Sequence, residues 1–298
     1  VCHVLRYTPF FSTIKQLLDD KKIGEVVTVQ HNENIGFYHF AHSYVRGNWR
    51  NSETSSPLVL AKSCHDMDIL VWLLNKKAKR IAAFGNLKYF REENHPEEAA
   101  DFCVHCPLQD TCPYSATTIY SKYLGSWPTT VVTRAKTKEE LFKVLETSNY
   151  GRCVFRSDNN VVDHMSIIIE FEDGITATFN ISAFTHDISR TIKIMGTEGE
   201  IRGHMEKNEI ELYQFGKKEP VVIKPEIVDG GHGGGDYKLM ENFVDILTEN
   251  KEEILTSAQV SVQSHVMAFA AEKSRLEEVV VDIETFKKEV DKEISLIS

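Results

Sequence analysis

Five β-rich segments follow one another between residues 166 and 215, and no helical stretch comes between them. Ser166 to Glu172, Ile175 to Ala183, Arg190 to Met195, Glu200 to Gly203 and Glu209 to Phe215 are divided by the turn sequences Asp173-Gly174, His186-Asp187 and Gly196-Thr197-Glu198-Gly199. Strands joined by such short connections pair antiparallel, because a parallel pair needs a crossover of a dozen residues or more. Ahead of this block, Glu25 to Ile35 alternates as a strand, with Val27, Val29, His31 and Glu33 on one side and Val26, Thr28, Gln30 and Asn32 on the other. Ala78 to Phe90 also reads as a strand, whereas Asp236 to Glu249, Ser257 to Leu276 and Ile283 to Ile297 carry helical periodicity. Strands grouped together with helices toward the ends is the α+β pattern, not the βαβ alternation of a nucleotide-binding fold. The expected architecture is one α+β domain over residues 1–298, built on a mainly antiparallel β-sheet.

Near the N-terminus, Phe10, Ile14, Leu17 and Leu18 follow Pro9 at helical spacing. Leu58 to Leu74 reads as one amphipathic helix, which carries Cys64-His65-Asp66-Met67-Asp68. Gly36 to Pro57 has little periodicity and is dense in His, Arg, Asn and Trp, the composition of a binding loop. A cysteine-containing insertion at about 91–150, with short helices at Ser115 to Leu124 and Thr137 to Thr147, is expected outside the main layers.

Charge narrows the function classes. Lys and Arg number 34 against 44 Asp and Glu, a net charge of −10, which argues against a sequence-independent grip on nucleic acid or on an anionic membrane surface. The longest apolar run, Ile69 to Leu74, is far too short to span a bilayer. Val1-Cys2-His3-Val4-Leu5-Arg6 lacks the charged-then-apolar order of a signal peptide and reads as a cut through a longer protein. Six cysteines are too sparse for a disulfide-built secreted domain, so the expected compartment is reducing and cytoplasmic.

Candidate binding residues come first from the loop after the first strand. His39, His42, Arg46, Asn48, Trp49 and Arg50 combine several donors with an aromatic surface, which suits a hydroxyl-rich or anionic ligand. The same residues could instead hold a long loop or an oligomer interface. His232, within Gly230 to Gly235, is either a movable pocket residue or a loop tip without a task. Asp163 and His164 are adjacent in extended chain and so should point to opposite faces, leaving His164 as a possible substrate contact and no dyad between them. Cys103, Cys106 and Cys112 are the most metal-like residues, either as a structural zinc site or a three-cysteine iron–sulfur site. A zinc ion would need a fourth ligand from His95, His105, Cys64 or Cys153; the other reading is reduced thiols packed in a loop.

Four segments together resemble the C-terminal domain of the Gfo/Idh/MocA family of nicotinamide-dependent oxidoreductases. They are Val4-Leu5-Arg6-Tyr7-Thr8-Pro9, Cys64-His65-Asp66-Met67-Asp68-Ile69-Leu70, Met195-Gly196-Thr197-Glu198-Gly199-Glu200-Ile201 and His265-Val266-Met267-Ala268-Phe269-Ala270-Ala271-Glu272. The resemblance implies a substrate-binding and oligomerisation domain of an NAD- or NADP-dependent enzyme acting on a sugar, inositol or related polyhydroxy compound. It also implies an open, mainly antiparallel β-sheet with helices packed on one face, and a homodimer or higher homo-oligomer through the sheet face. No G-x-G-x-x-G fingerprint occurs here; the nearest stretch, Gly230 to Asp236, fails the spacing. The N-terminal Rossmann domain is therefore expected to be absent from this chain, which alone should neither bind NAD(P) tightly nor turn over.

Within that resemblance His65 is the candidate proton acceptor, since imidazole is matched to alcohol oxidation at neutral pH. The family's helix shows Asp-x-x-x-His, and Ala61 stands here where that Asp would fall. Lys62, three residues before His65, is the candidate to take over a substrate contact or act as a tuned base. The plain alternatives are a helix N-terminal histidine bonded to backbone and a solvated lysine. Arg6 could face cofactor or substrate, or pair with a carboxylate. Two other functions stay open: a non-catalytic binding or scaffold module that retained the sheet, and redox-cycling hydrolysis or elimination in place of net oxidation.

Overall fold

Alternation sets the central strand. In β1, Val26–Asn34, the residues Val29, His31 and Glu33 are buried while Gln30 is exposed and Thr28, Asn32 and Asn34 are half-buried. The computed structural model describes residues 1–249 and 255–297. Around β1 it places β2 (Ala78–Asn86), β3 (His164–Phe171), β4 (Thr176–Ser182), β5 (Ser189–Gly196), β6 (Gly199–His204), β7 (Glu209–Gln214), β8 (Val221–Ile223) and β9 (Val281–Asp282). They form one nine-stranded sheet in the order β8-β7-β6-β5-β1-β4-β3-β2-β9. Every pairing is antiparallel except that of β1 with β4, whose connection is long enough to contain a helix-bearing crossover and the insertion. The expected α+β class holds, with β8 and β9 as short additions at the two edges that the residue pattern does not announce.

One face of the sheet is apolar. Ile167, Ile169 and Phe171 of β3, Ala177, Phe179 and Ile181 of β4, and Ile192 and Ile194 of β5 are buried under helices. Those helices are α1 (Pro9–Asp19), the pair α3 (Leu58–Ala61) and α4 (Cys64–Leu74), which follow the short α2 (Phe37–Phe40), and, near the C-terminus, α9 (Ala258–Glu277). The other face is polar and open. Ser166, Asn180, Asn32 and Thr191 sit side by side on β3, β4, β1 and β5 and join through side-chain hydrogen bonds of 2.7, 3.2 and 3.0 Å. No helix among the described residues is long and apolar enough to cross a membrane.

Two local expectations are corrected. The segment after β1 is not an irregular loop: α2 runs directly into a widened π-helical turn over Ala41–Arg46, all of it buried. A π-helical turn takes more residues than an α-helical one, so the period that an ordinary helix would print on the sequence is lost. The helix expected over Leu58 to Leu74 is broken, because Ser63 adopts φ −103° and ψ 10° between α3 and α4.

The insertion contains α5 (Ala116–Lys122), α6 (Thr129–Val132) and α7 (Lys138–Leu145) and keeps a small core of its own, made by Cys103, Ala116, Ile119, Tyr120, Leu141 and Leu145. After it come α8 (Gly235–Glu249), α9 and α10 (Ile283–Ile297). Ser274 of α9 ties the C-terminal part to the sheet edge: its hydroxyl accepts from the Ala83 N–H at 2.9 Å and donates to the Val279 carbonyl at 2.6 Å. Ser274→Ala strands a buried donor on β2, so urea unfolding should show a loss of about 1–3 kcal/mol. An unchanged midpoint would contradict this role.

Candidate active site

A cavity of about 1080 Å³ opens between the start of α4, the π-helical turn, the start of β5 and the loop that precedes α8. The break at Ser63 brings Lys62 and His65 into its wall together. Tyr44, Trp49, Trp127 and Tyr150 supply flat aromatic surface, and Asn48, Glu206, Asn208 and Glu226 supply polar groups. Such walls, apolar with a few convergent polar atoms, characterise small-molecule sites.

Beneath Lys62 and His65 lies a chain of buried charges. Lys62 Nζ is 3.2 Å from Glu33 Oε1, and Arg190 bridges Glu33 at 2.7 Å and Asp66 Oδ1 at 2.9 Å. His31 Nε2 lies 2.8 Å from the same Asp66 oxygen. Arg190, Glu33, Asp66 and His31 come from three elements, β5, β1 and α4, so the site is built on the rigid face of the sheet. Burial alone would raise the Asp66 carboxyl, but Arg190 and His31 hold it well below the usual carboxylate range. Burial alone would lower the Arg190 guanidinium; Asp66 and Glu33 more than reverse that.

The histidines respond in the opposite sense. Burial brings His65 down to about 4; Asp66 opposes the shift, and Arg190, His3 and His232 add to it. His42 falls to about 4 through burial and then Arg46, and His39 to about 2 through burial, Lys62, His42 and Arg190. All three are neutral at pH 7, and the His65 Nδ1 is buried without a hydrogen-bond partner among the described residues. A lowered histidine favours the folded state above the unfolded value of 6.5 and loses that advantage as pH falls toward the folded value. Stability should therefore drop between pH 6.5 and 4, by on the order of 3 kcal/mol each for His42 and His65. Chemical denaturation at stepped pH reads this directly; a flat profile over that window would refute it.

His39, His42, Asn48, Trp49, Lys62, His65 and His232 all line the cavity. The His232 ring centre is 5.9 Å from that of His65, and its Nδ1 is 2.9 Å from Asp236 Oδ1. Three candidates fall elsewhere. Arg6 is buried against Asp68, with bonds of 2.7 and 2.6 Å, and donates to the Leu255 carbonyl, so it ties the chain start to α4. Arg46 turns into the insertion and bonds the Arg152 and Tyr114 carbonyls. His164 lies outside the cavity and pairs with Asp163 at 2.8 Å, against the expectation from extended chain. The reason is that β3 begins at His164: Asp163 precedes it, is fully buried, and also accepts from the Lys88 and Tyr89 N–H groups.

Cys103, Cys106 and Cys112 are free thiols around a separate small cavity. Near the main site, donor atoms of His3, Cys64 and His65 lie within 4.8 Å of one another, and no fourth His, Cys, Asp or Glu joins them among the described residues. Sequence reasoning missed Glu33, Arg190 and Glu206 as parts of the site. A signal did exist for two residues: an imidazole and an acid, His31 and Glu33, on the buried side of an alternating strand need partners, and α4 and β5 provide them.

Residues 15–283 match the family described as oxidoreductase family, C-terminal alpha/beta domain, and the chain belongs to this Gfo/Idh/MocA family. It is 28% identical over 283 residues to YteT of Bacillus subtilis (strain 168), named as an oxidoreductase, covering 87% of this chain and 63% of that protein. Among solved structures, levoglucosan dehydrogenase in complex with NADH and levoglucosan superposes with a TM-score of 0.62 at 14% identity, over 95% of this chain and 65% of that one. An oxidoreductase from Agrobacterium radiobacter in complex with NAD+, L-tartaric acid and magnesium gives 0.60 at 15% identity, over 95% and 64%. The chain thus spans just under two thirds of the length of these relatives.

Proposed function

We propose that this chain is the substrate-binding part of an NAD(P)-dependent oxidoreductase that acts on a sugar, inositol or related polyhydroxy compound. The observation that carries the reading is a neutral His65 imidazole set beside Lys62 in the wall of a large, aromatic-lined cavity. Two relatives whose structures contain NADH and NAD+ support it.

The chain's own residues divide the work. Trp49, Tyr44 and Trp127 offer faces against which a sugar ring packs, and Asn48, Asn208 and Glu206 offer hydrogen bonds to its hydroxyls. Lys62, held against Glu33, donates to the reacting hydroxyl. His65 accepts that hydroxyl's proton, as a neutral imidazole can at pH 7. When bound, NAD(P) supplies a hydride acceptor. Thr8, Pro9, Phe10, Gly231 and Gly233, which line the cavity together with His65, would hold its nicotinamide end. The phosphates would be held by protein outside this chain, in a Rossmann domain preceding Val1. On this reading the isolated chain binds the cofactor weakly and does not turn over, and the polar sheet face joins copies of the full-length protein in a reducing, cytoplasmic setting.

Ala61 favours a second reading, a binding module without catalysis, since no carboxylate stands one turn before His65. One assay separates the two: the full-length protein with NAD+ or NADP+ and a panel of polyols, followed by nicotinamide absorbance. Reduction with any member of the panel supports the enzyme; binding of polyol without reduction supports the module.

A further inference from the structure

The insertion gathers four cysteines that the proposed reaction does not use. Cys103, Cys106, Cys112 and Cys153 line one cavity of about 170 Å³, and Arg46 forms part of the same wall. Three of the four are buried and Cys112 is half-buried. Chain geometry brings them there: a tight turn closes from the Cys106 N–H to the Cys103 carbonyl at 3.2 Å, and an antiparallel bridge joins Phe102 to Arg152. Each member of that bridge is followed by a cysteine, so Cys103 and Cys153 project to the same side of it.

Arg46 is an independent pointer to a ligand. Its side chain is 1% exposed, yet no carboxylate pairs with it among the described residues. Nε donates to the Arg152 carbonyl at 2.7 Å, and Nη2 to the Tyr114 carbonyl at 2.8 Å and to Cys103 Sγ at 3.5 Å. Nη1 is buried without any partner among the described residues. A guanidinium cannot shed its proton to escape burial, so an uncompensated charge here costs several kcal/mol.

We propose that Cys103, Cys106, Cys112 and Cys153 together hold a thiophilic metal centre, with Arg46 as its charge partner. Four thiolates around a divalent ion, or around an iron–sulfur cluster whose core carries two positive charges, leave a net charge of about −2 for Arg46 to offset. Cys153 is the fourth ligand; Cys64 belongs to the main site beside His65, and neither His95 nor His105 lines this cavity. A single zinc would need the four sulfurs to draw closer together than they stand. Zinc bonds of about 2.3 Å would bring the sulfurs to about 3.8 Å from one another, whereas no three of these thiols lie mutually within 4.8 Å. The centre would clamp the insertion, which supplies Tyr150, stacked on His42, to the wall of the main cavity and Tyr120, bonded to His42 at 3.0 Å, behind it.

The test is metal and acid-labile sulfide analysis of anaerobically purified full-length protein, alongside Cys153→Ala and Cys64→Ala. Iron with sulfide, or one zinc per chain, that is lost in Cys153→Ala and kept in Cys64→Ala, supports the centre, and the sulfide content tells the two metals apart. Only trace metal in the unaltered protein overturns it, as does metal that disappears with Cys64→Ala and persists with Cys153→Ala. Should Cys153→Ala fail to fold, X-ray absorption at the metal edge of the unaltered protein decides: sulfur-only coordination supports the site, and nitrogen or oxygen ligands overturn it.

Discussion

Replacing His65 by Gln lowers kcat of the full-length protein by about 10²–10⁴-fold, the range removed with a general base, while KM for the polyol moves little. The imidazole touches the reacting hydroxyl in this account, so its loss acts on the proton transfer and not on the aromatic walls that bind the ring. The pH profile of the unaltered enzyme carries the same signature. Because burial holds His65 near 4, kcat/KM should stay level through pH 6 and fall only as the medium approaches pH 4. An acid limb at the ordinary histidine value would show that His65 is solvated in the working enzyme. A His65→Gln variant within about threefold of the parent would remove it from the proton transfer altogether.

The second large effect concerns stability. Arg190→Met should destabilise the fold by about 3–5 kcal/mol, because it leaves the fully buried carboxylates of Glu33 and Asp66 facing each other with only Lys62 and His31 to compensate. Urea unfolding reads the loss, and Glu33→Gln introduced together with Arg190→Met should recover part of it by removing one stranded charge. A loss below about 1 kcal/mol would mean that the network is already hydrated or neutral, and would undo the argument that it anchors Lys62.

Period-two patterning made the sheet legible. The strands from Ser166 to Phe215 appear within a residue or two of where alternation and turn sequences put them, as do the two long helices after Gly235. What alternation cannot reveal is a strand of two or three residues, hence β8 and β9, or a helix whose widened turn departs from the ordinary period, hence the π-helical turn at Ala41–Arg46. At the site the helix motif led to His65 and Lys62 because both lie within one short stretch of chain. Glu33 and Arg190 are 157 positions apart, and only the antiparallel register Glu33↔Arg190 of β1 and β5 places them together. Arg6 and Arg46 each carried two readings in the sequence, a ligand contact or a structural tie, and the fold realises the tie, to Asp68 for one and to the insertion for the other.

On the proposed function, this chain presents a base and a polyol cavity to a nicotinamide held by other protein. The most direct measurement is a crystal structure of the full-length protein with NADH and a polyol. The nicotinamide C4 should lie within about 3–3.5 Å of a carbinol carbon, with that carbon's oxygen about 2.6–3.2 Å from a His65 ring nitrogen. A nicotinamide seated away from the α4 end of the cavity, or a polyol with no contact to His65, would contradict it.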